Sequence, residues 1–150
     1  MPADRWRVFI DTNVLIAGLL SPAGASAAIR DLGETEEILL VLSRQVLVEA
    51  DRVISTKFPL FLDRYRIFIK NLNPLLAEDP LAAQIQEAEA VIHDPDDAPI
   101  LAVVKRARVD YLVTLDTRHF HTPKVRAFLP IPILTPAEFL TAFRNFWERL

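Results

Sequence analysis

The sequence contains no cysteine, which removes disulfides, thiolate metal sites and cysteine nucleophiles from consideration. Histidine is scarce, at three residues, too few for a histidine-rich metal cage. A metal site in this chain must be built mainly from oxygen ligands, and such sites suit Mg2+, Mn2+ or Ca2+. A basic excess is also missing: 17 Lys and Arg stand against 20 Asp and Glu, for a formal net charge of -3. Nucleic-acid binding would therefore rest on local patches and not on the global field. No apolar run approaches the roughly 18–20 residues needed to span a bilayer. Met1 to Ile10 carries Asp4, Arg5 and Arg7 where a secretion signal would have its apolar stretch. These absences set the expectation of a soluble, cytoplasmic protein.

What is present is ample core material. Of 150 residues, 51% are hydrophobic and 25% charged, the balance of one ordinary globular domain. Short apolar runs at Val8–Ile10, Ile38–Leu42, Leu72–Leu76, Tyr111–Leu115 and Ile131–Leu134 read as buried strands. Between them lie helical patterns: from Val14, interrupted at Ser21–Gly24 and resumed over Ala25–Leu32; Arg44–Ser55 behind a Ser43 cap; Phe58–Lys70; Pro80–Ile92; and a helix opened by the turn Asp94–Pro99 and running to Ala107. Thr135-Pro136-Ala137-Glu138 fits a capping box with proline at the first helical position. The helix it opens puts Phe139, Phe143, Phe146, Trp147 and Leu150 on one face, for docking on the sheet or for dimerisation. Strands alternating with helices predict a three-layer α/β/α sandwich with a central parallel sheet, made by residues 1–150 as a single domain.

The informative pattern is where the acids fall. Asp11 closes the first strand and Asp116 a later one, and sites in parallel α/β sheets form outside the carboxyl ends of strands. Asp97 sits at the start of the helix before Asp116. Glu49 lies at the edge of the buried stripe Val46, Ala50, Val53 and Ile54, where a side chain can point into a cleft. Each acid alone also has a structural reading: Asp11 and Asp97 as helix caps, Glu49 as a solvated helix residue, Asp116 as a turn residue. Four converging carboxylates repel each other unless cations neutralise them. Divalent ions held by oxygen ligands do so, and they activate water and stabilise a leaving oxygen in phosphodiester cleavage.

The context of these acids resembles a known family. Val8-Phe9-Ile10-Asp11-Thr12-Asn13-Val14-Leu15 resembles the opening motif of PIN domains. Ser43 to Glu49 resembles the helix carrying the second acid, and Asp94-Pro95-Asp96-Asp97 with Ile100-Leu101-Ala102 the segment holding the third. Tyr111 to Phe120 is similar to the fourth motif, and Ile133 to Leu140 to the ending of a bacterial and archaeal branch of VapC-like toxins from toxin–antitoxin pairs. The resemblance spans nearly the whole chain in order. It implies a Mg2+- or Mn2+-dependent endoribonuclease, an antitoxin protein as partner and a homodimer. It makes Asp11, Glu49, Asp97 and Asp116 the catalytic, metal-binding acids, with Asp94 and Asp96 as alternatives in the acid-rich turn. Thr12, Asn13 and Thr114 would orient the carboxylates. One departure stands out: many members carry a further Asp where this chain has His119, whose imidazole suits a phosphate, a metal or simply the surface.

Arg44, Arg52 and Arg118 lie close in sequence to the proposed site and are the candidates for engaging RNA phosphates. Lys105, Arg106 and Arg108 read as a solvated helix end. The Phe58–Lys70 stripe reads mainly as core, with part of it available to a dimer or an antitoxin segment. Two other phosphate chemistries fit less well. A haloacid-dehalogenase phosphatase needs an Asp where Asn13 stands, and a phospho-acceptor receiver domain needs adjacent acids near the first strand and a late lysine. The alternatives left open are a catalytically weak or inactive PIN-fold module that binds RNA or protein, and DNA as the substrate.

Overall fold

Five short apolar strands pair in parallel in the order β3-β2-β1-β4-β5 in the computed structural model, which describes residues 5–150. They are β1 (Arg7–Ile10), β2 (Leu39–Leu42), β3 (Leu75–Leu76), β4 (Tyr111–Val113) and β5 (Ile133–Leu134). Asp4, part of the segment read against a secretion signal, lies outside the described residues. The connecting helices are α1 (Thr12–Leu20), α2 (Ala25–Glu34), α3 (Arg44–Lys57), α4 (Leu62–Leu72), α5 (Ala82–Glu89), α6 (Asp97–Ala107), α7 (Pro123–Phe128) and α8 (Pro136–Glu148). The result is the α/β sandwich expected from the alternating pattern, with Val8, Phe9, Val41, Leu42, Leu112 and Val113 at the fully buried centre.

The chain adds β2 and β3 to one side of β1, then returns to add β4 and β5 on the other. Parallel crossovers are nearly always right-handed, so this reversal puts α1–α4 over one face and α5–α7 over the other. Helix pairing agrees: α1 packs on α2 and α3, α4 on α2 and α3, and α5 on α6. The reversal falls between β1 and β4, where a crevice opens beyond the strand ends in such sheets. Among the described residues no single helix is long and apolar enough to cross a membrane; the bent pair α1 and α2 matches by length and composition, but Val14, Leu15 and Ile29 from it are core residues.

Local chemistry explains most element ends. Ser43 caps α3 by accepting from the Val46 amide at 3.2 Å. The Thr135 hydroxyl accepts from the Glu138 amide at 3.2 Å, and the Glu138 carboxylate from the Thr135 amide at 2.9 Å, completing the capping box. Thr135→Ala should cost about 1 kcal/mol, read as a fall of roughly 2–4 °C in Tm for a chain of this size. An unchanged Tm would mean that α8 is held by its packing alone.

Several elements differ from the sequence reading, among them β3, which begins only at Leu75 because Leu72 ends α4. The helical stripe from Phe58 is broken, because Pro59 cannot continue a helix and pushes Phe58 out of the helical region, to φ -136 and ψ 54. Pro59–Phe61 forms a 3-10 turn and α4 starts only at Leu62, burying Tyr65, Phe68 and Leu72. β4 stops at Val113 because Thr114 and Leu115 leave the ladder: the Leu115 amide donates to Asn13 Oδ1 at 3.3 Å and its side chain is exposed. The 3-10 turn Arg118–Phe120 and helix α7 were not expected. On α8, Phe139 is buried against Trp6 and Tyr111, while Phe146, Trp147 and Leu150 remain exposed.

Candidate functional site

β1 and β4 run in level register, Ile10 against Val113, so the residues following each strand emerge side by side. Asp11 keeps the ladder going one step, its amide donating to the Val113 carbonyl at 3.0 Å. Its carboxylate then turns into the crevice. One oxygen caps α1 by accepting from the Thr12 amide at 2.8 Å, and the other accepts from the Thr114 hydroxyl at 3.1 Å. Capping and cleft-lining are thus one conformation of Asp11, not rival readings. From α3, Glu49 accepts from the Thr12 hydroxyl at 3.2 Å. From α6, Asp97 enters the same cleft, about 260 Å³ in volume, which Asp11, Thr12, Asn13, Gln45, Glu49 and Asp97 line.

The acid-rich turn before α6 divides its labour. Asp94 accepts from the amides of Asp96 and Asp97 at 2.8 and 3.1 Å, so it caps the helix. Asp96 is exposed, and its carbonyl accepts from Gln45 Nε2 at 3.2 Å. Gln45 ties α3 to this turn; nothing in the sequence marked it. Asp96 and Asp97, neither of whose side chains caps the helix, both border the cleft, and Asp97 is the one that also meets His119.

Asp116 does not line that cleft directly. It stands at its rim, its amide donating to the Thr114 hydroxyl at 3.3 Å. His119 joins it to the rest: Nδ1 lies 3.2 Å from Asp97 Oδ2 and Nε2 lies 3.7 Å from Asp116 Oδ2. Solvent exposure of His119 was the favoured sequence expectation; its ring is half exposed and faces carboxylates from both nitrogens. Of the arginines, Arg44 and Arg52 are exposed on α3, with Arg44 3.9 Å from Asp79, and Arg118 reaches Asp116 at 3.6 Å.

The electrostatics record burial first and like charge second. Burial pushes the Asp11 carboxyl above the ordinary aspartate range; the hydrogen bonds from Thr12 and Thr114 oppose this, and the Glu49 charge adds to it. Asp97 is raised too, first by burial and then by Asp94, against the lowering effect of His119, with Asp11 raising it further. One oxygen of Asp116, Oδ1, is buried without a hydrogen-bond partner among the described residues. Asp94, Asp97 and His119 offer ligand atoms within 4.8 Å of one another. A mainly acidic donor set with a buried oxygen that accepts no hydrogen bond fits a divalent cation.

A sequence profile of the PIN domain family matches residues 7–118, which contain all of these groups except His119. The chain belongs to the PIN domain family. No curated protein sequence matches it. Solved PIN structures resemble this PIN domain at the level of fold. FitAcB from Neisseria gonorrhoeae shares 18% identity over 87% of this chain and 98% of that one, at a TM-score of 0.62. DNA-bound VapBC from Salmonella typhimurium shares 17% identity over 87% and 98%, at 0.65. VapC20 from Mycobacterium tuberculosis, described as a sarcin-ricin loop cleaving toxin, shares 16% identity over 75% and 92%, at 0.53.

Proposed function

We propose that this PIN domain is an endoribonuclease whose carboxylates Asp11, Glu49, Asp97 and Asp116 hold Mg2+ or Mn2+ against an RNA phosphodiester. The observation that carries this reading is the convergence of Asp11, Glu49 and Asp97 from three separate elements on one cleft, two of them with carboxyls raised by burial. A divalent ion there would neutralise the cluster, activate the attacking water and stabilise the leaving oxygen. The chain's own groups do the positioning. Thr114 and the Thr12 amide fix the Asp11 carboxylate, and the Thr12 hydroxyl fixes Glu49. Asn13 accepts from the Leu115 amide and so holds the loop that carries Asp116. Arg44, Arg52 and Arg118, exposed on α3 and the segment after β4, supply charge for flanking phosphates.

The biological setting we infer is the toxin half of a toxin–antitoxin pair acting in the cytoplasm, as a homodimer neutralised by an antitoxin. The VapBC and FitAcB complexes among the structural neighbours support that setting. We read residues 119–150 as part of the same domain, since β5 pairs with β4 and Phe139 is buried in the common core.

The test is cleavage of a panel of structured and single-stranded RNAs with Mn2+ or Mg2+ and with EDTA, comparing the native chain with Asp116→Asn. Cutting that needs the ion and falls at least about 100-fold in the variant supports the assignment, since losing even an outer partner of a metal costs up to about that much. Full activity in EDTA or in Asp116→Asn refutes it. Absence of any ion binding would favour a binding module on the same fold.

A further inference from the structure

Among the described residues His119 is the histidine that stands with the acids of this site, its imidazole grouped with Asp94 and Asp97 and near Asp116. It is held there by its neighbour. Phe120 is a core residue, 2% exposed, and its amide donates to the Thr117 carbonyl at 3.1 Å, closing the turn that presents the ring. The ring spans two carboxylates from different elements, 3.2 Å from Asp97 on α6 and 3.7 Å from Asp116 beyond β4. Adjacent ligands about 2.1 Å from one ion stand about 3.0 Å apart, so the His119–Asp97 separation is already that of two ligands sharing an ion. The buried Oδ1 of Asp116 accepts no hydrogen bond, its nearest cation being Arg118 Nε at 3.6 Å, and so keeps lone pairs available.

We propose that His119 is a ligand to the divalent ion of this site and tilts its preference from Mg2+ toward transition-metal ions such as Mn2+. The inference rests on the reading of the carboxylates as an ion site. Mg2+ is a hard ion that takes oxygen ligands and gives up water reluctantly, whereas imidazole suits transition ions, best Fe2+, Ni2+, Cu2+ and Zn2+, with Mn2+ at the weak end of that series. An all-carboxylate cleft leaves the choice of ion to size and availability; replacing one oxygen donor by nitrogen makes the choice chemical. His119 would then set which ion loads the protein, a role separate from holding RNA.

The alternative physical account is that His119 only bridges Asp97 and Asp116 as an ion pair and never touches the ion. Mn2+ separates the two, because its unpaired electrons couple to a directly bound 14N. Mn2+ is titrated into the full chain, and binding and electron spin-echo modulation are measured for the native protein, His119→Asp, His119→Ala and Asp11→Asn. The half-exposed position of His119 makes both of its variants compatible with folding, which circular dichroism checks. The expected result is strong 14N modulation in the native protein, lost in both His119 variants. The ratio of Mn2+ to Mg2+ affinity should also fall on the order of tenfold in His119→Asp, the lower range for disturbing a metal's surroundings. Mn2+ that binds, is lost in Asp11→Asn, and shows no 14N coupling overturns the role of His119 while leaving the carboxylate site standing. Mn2+ that fails to bind, or binds equally well in Asp11→Asn, overturns both.

Discussion

Replacing Asp11 with asparagine is expected to raise the Tm of the ion-free protein while reducing ion-dependent RNA cleavage at least about 100-fold, the upper end of the loss on disturbing a metal's surroundings. The stability gain follows from the state of the carboxyl. Burial and the Glu49 charge hold it above the ordinary aspartate range, so the folded chain binds this proton more tightly than the unfolded chain. The associated stability is complete below the ordinary aspartate value and is lost as pH rises through the raised one. Above that raised value the native protein has lost it. Asparagine never ionises, and its side-chain oxygen can still accept from the Thr12 amide, since Asn caps helices as well as Asp. Each kcal/mol recovered moves Tm by roughly 2–4 °C for a chain of this size. Thermal melts across pH check this. The ion-free native protein should melt higher as pH falls from neutrality toward the aspartate range, and Asp11→Asn should flatten that rise. Saturating Mn2+ should reverse the order of the two proteins, since an ion held about 100-fold above its Kd adds about 2.7 kcal/mol only where it binds. A variant less stable than the native chain without ions would mean that the Thr114 contact outweighs the repulsion.

Phe120→Ala should have the largest effect on the fold of any change near the site. Phe120 ranks among the largest fully buried side chains, and truncating such a residue costs about 3–5 kcal/mol, hence a fall in Tm of roughly 6–20 °C for this length. Its second effect is on the site. Phe120 anchors the turn Arg118–Phe120, and with it His119 and the loop bearing Asp116. Mn2+ affinity, measured at a temperature where the variant is folded, should drop although no ligand has been altered. Unchanged affinity would show that Asp116 and His119 are held by the Asn13–Leu115 and Thr114–Asp116 hydrogen bonds alone.

The contrast between these two residues marks what was legible in the sequence. The place of Asp11 at the cleft could be read because it is tied to a local pattern: a short apolar run that ends in an acid, then a helix start. The same held for Asp97 in outline, but not for the split of the acid turn into Asp94 as cap and Asp97 as cleft residue, which depends on the entry angle of α6. His119 stood out as a departure, with phosphate, metal and surface roles open, but its place between Asp97 and Asp116 could not be read, since those acids come together only through the β1–β4 reversal and the burial of Phe120. Helix α7 was missed because it buries only Val125 and so has no stripe to detect. Its Thr122-Pro123 start, with the Thr122 hydroxyl accepting from the Val125 amide at 3.2 Å, repeats the signal that revealed α8 at Thr135-Pro136. The break at Phe58 was written in Pro59, and the apolar spacing across it masked the break.

The pairing of β1 with β4 has a consequence for timing. Asp11 and the Thr114 hydroxyl that fixes it are 103 residues apart in the chain. Closing so long a loop is entropically slower than the local pairings that precede it. Chains emerge from the ribosome amino-terminus first, at about 5–20 residues per second, so the first acid is exposed for several seconds before its partners exist. During that interval β1, α1 and α2 can associate with β2, but the cleft lacks Asp97, Asp116 and His119. On the proposed ribonuclease reading, a nascent chain would therefore be inert toward the RNA around it until the segment through His119 has emerged and the acidic cluster is complete.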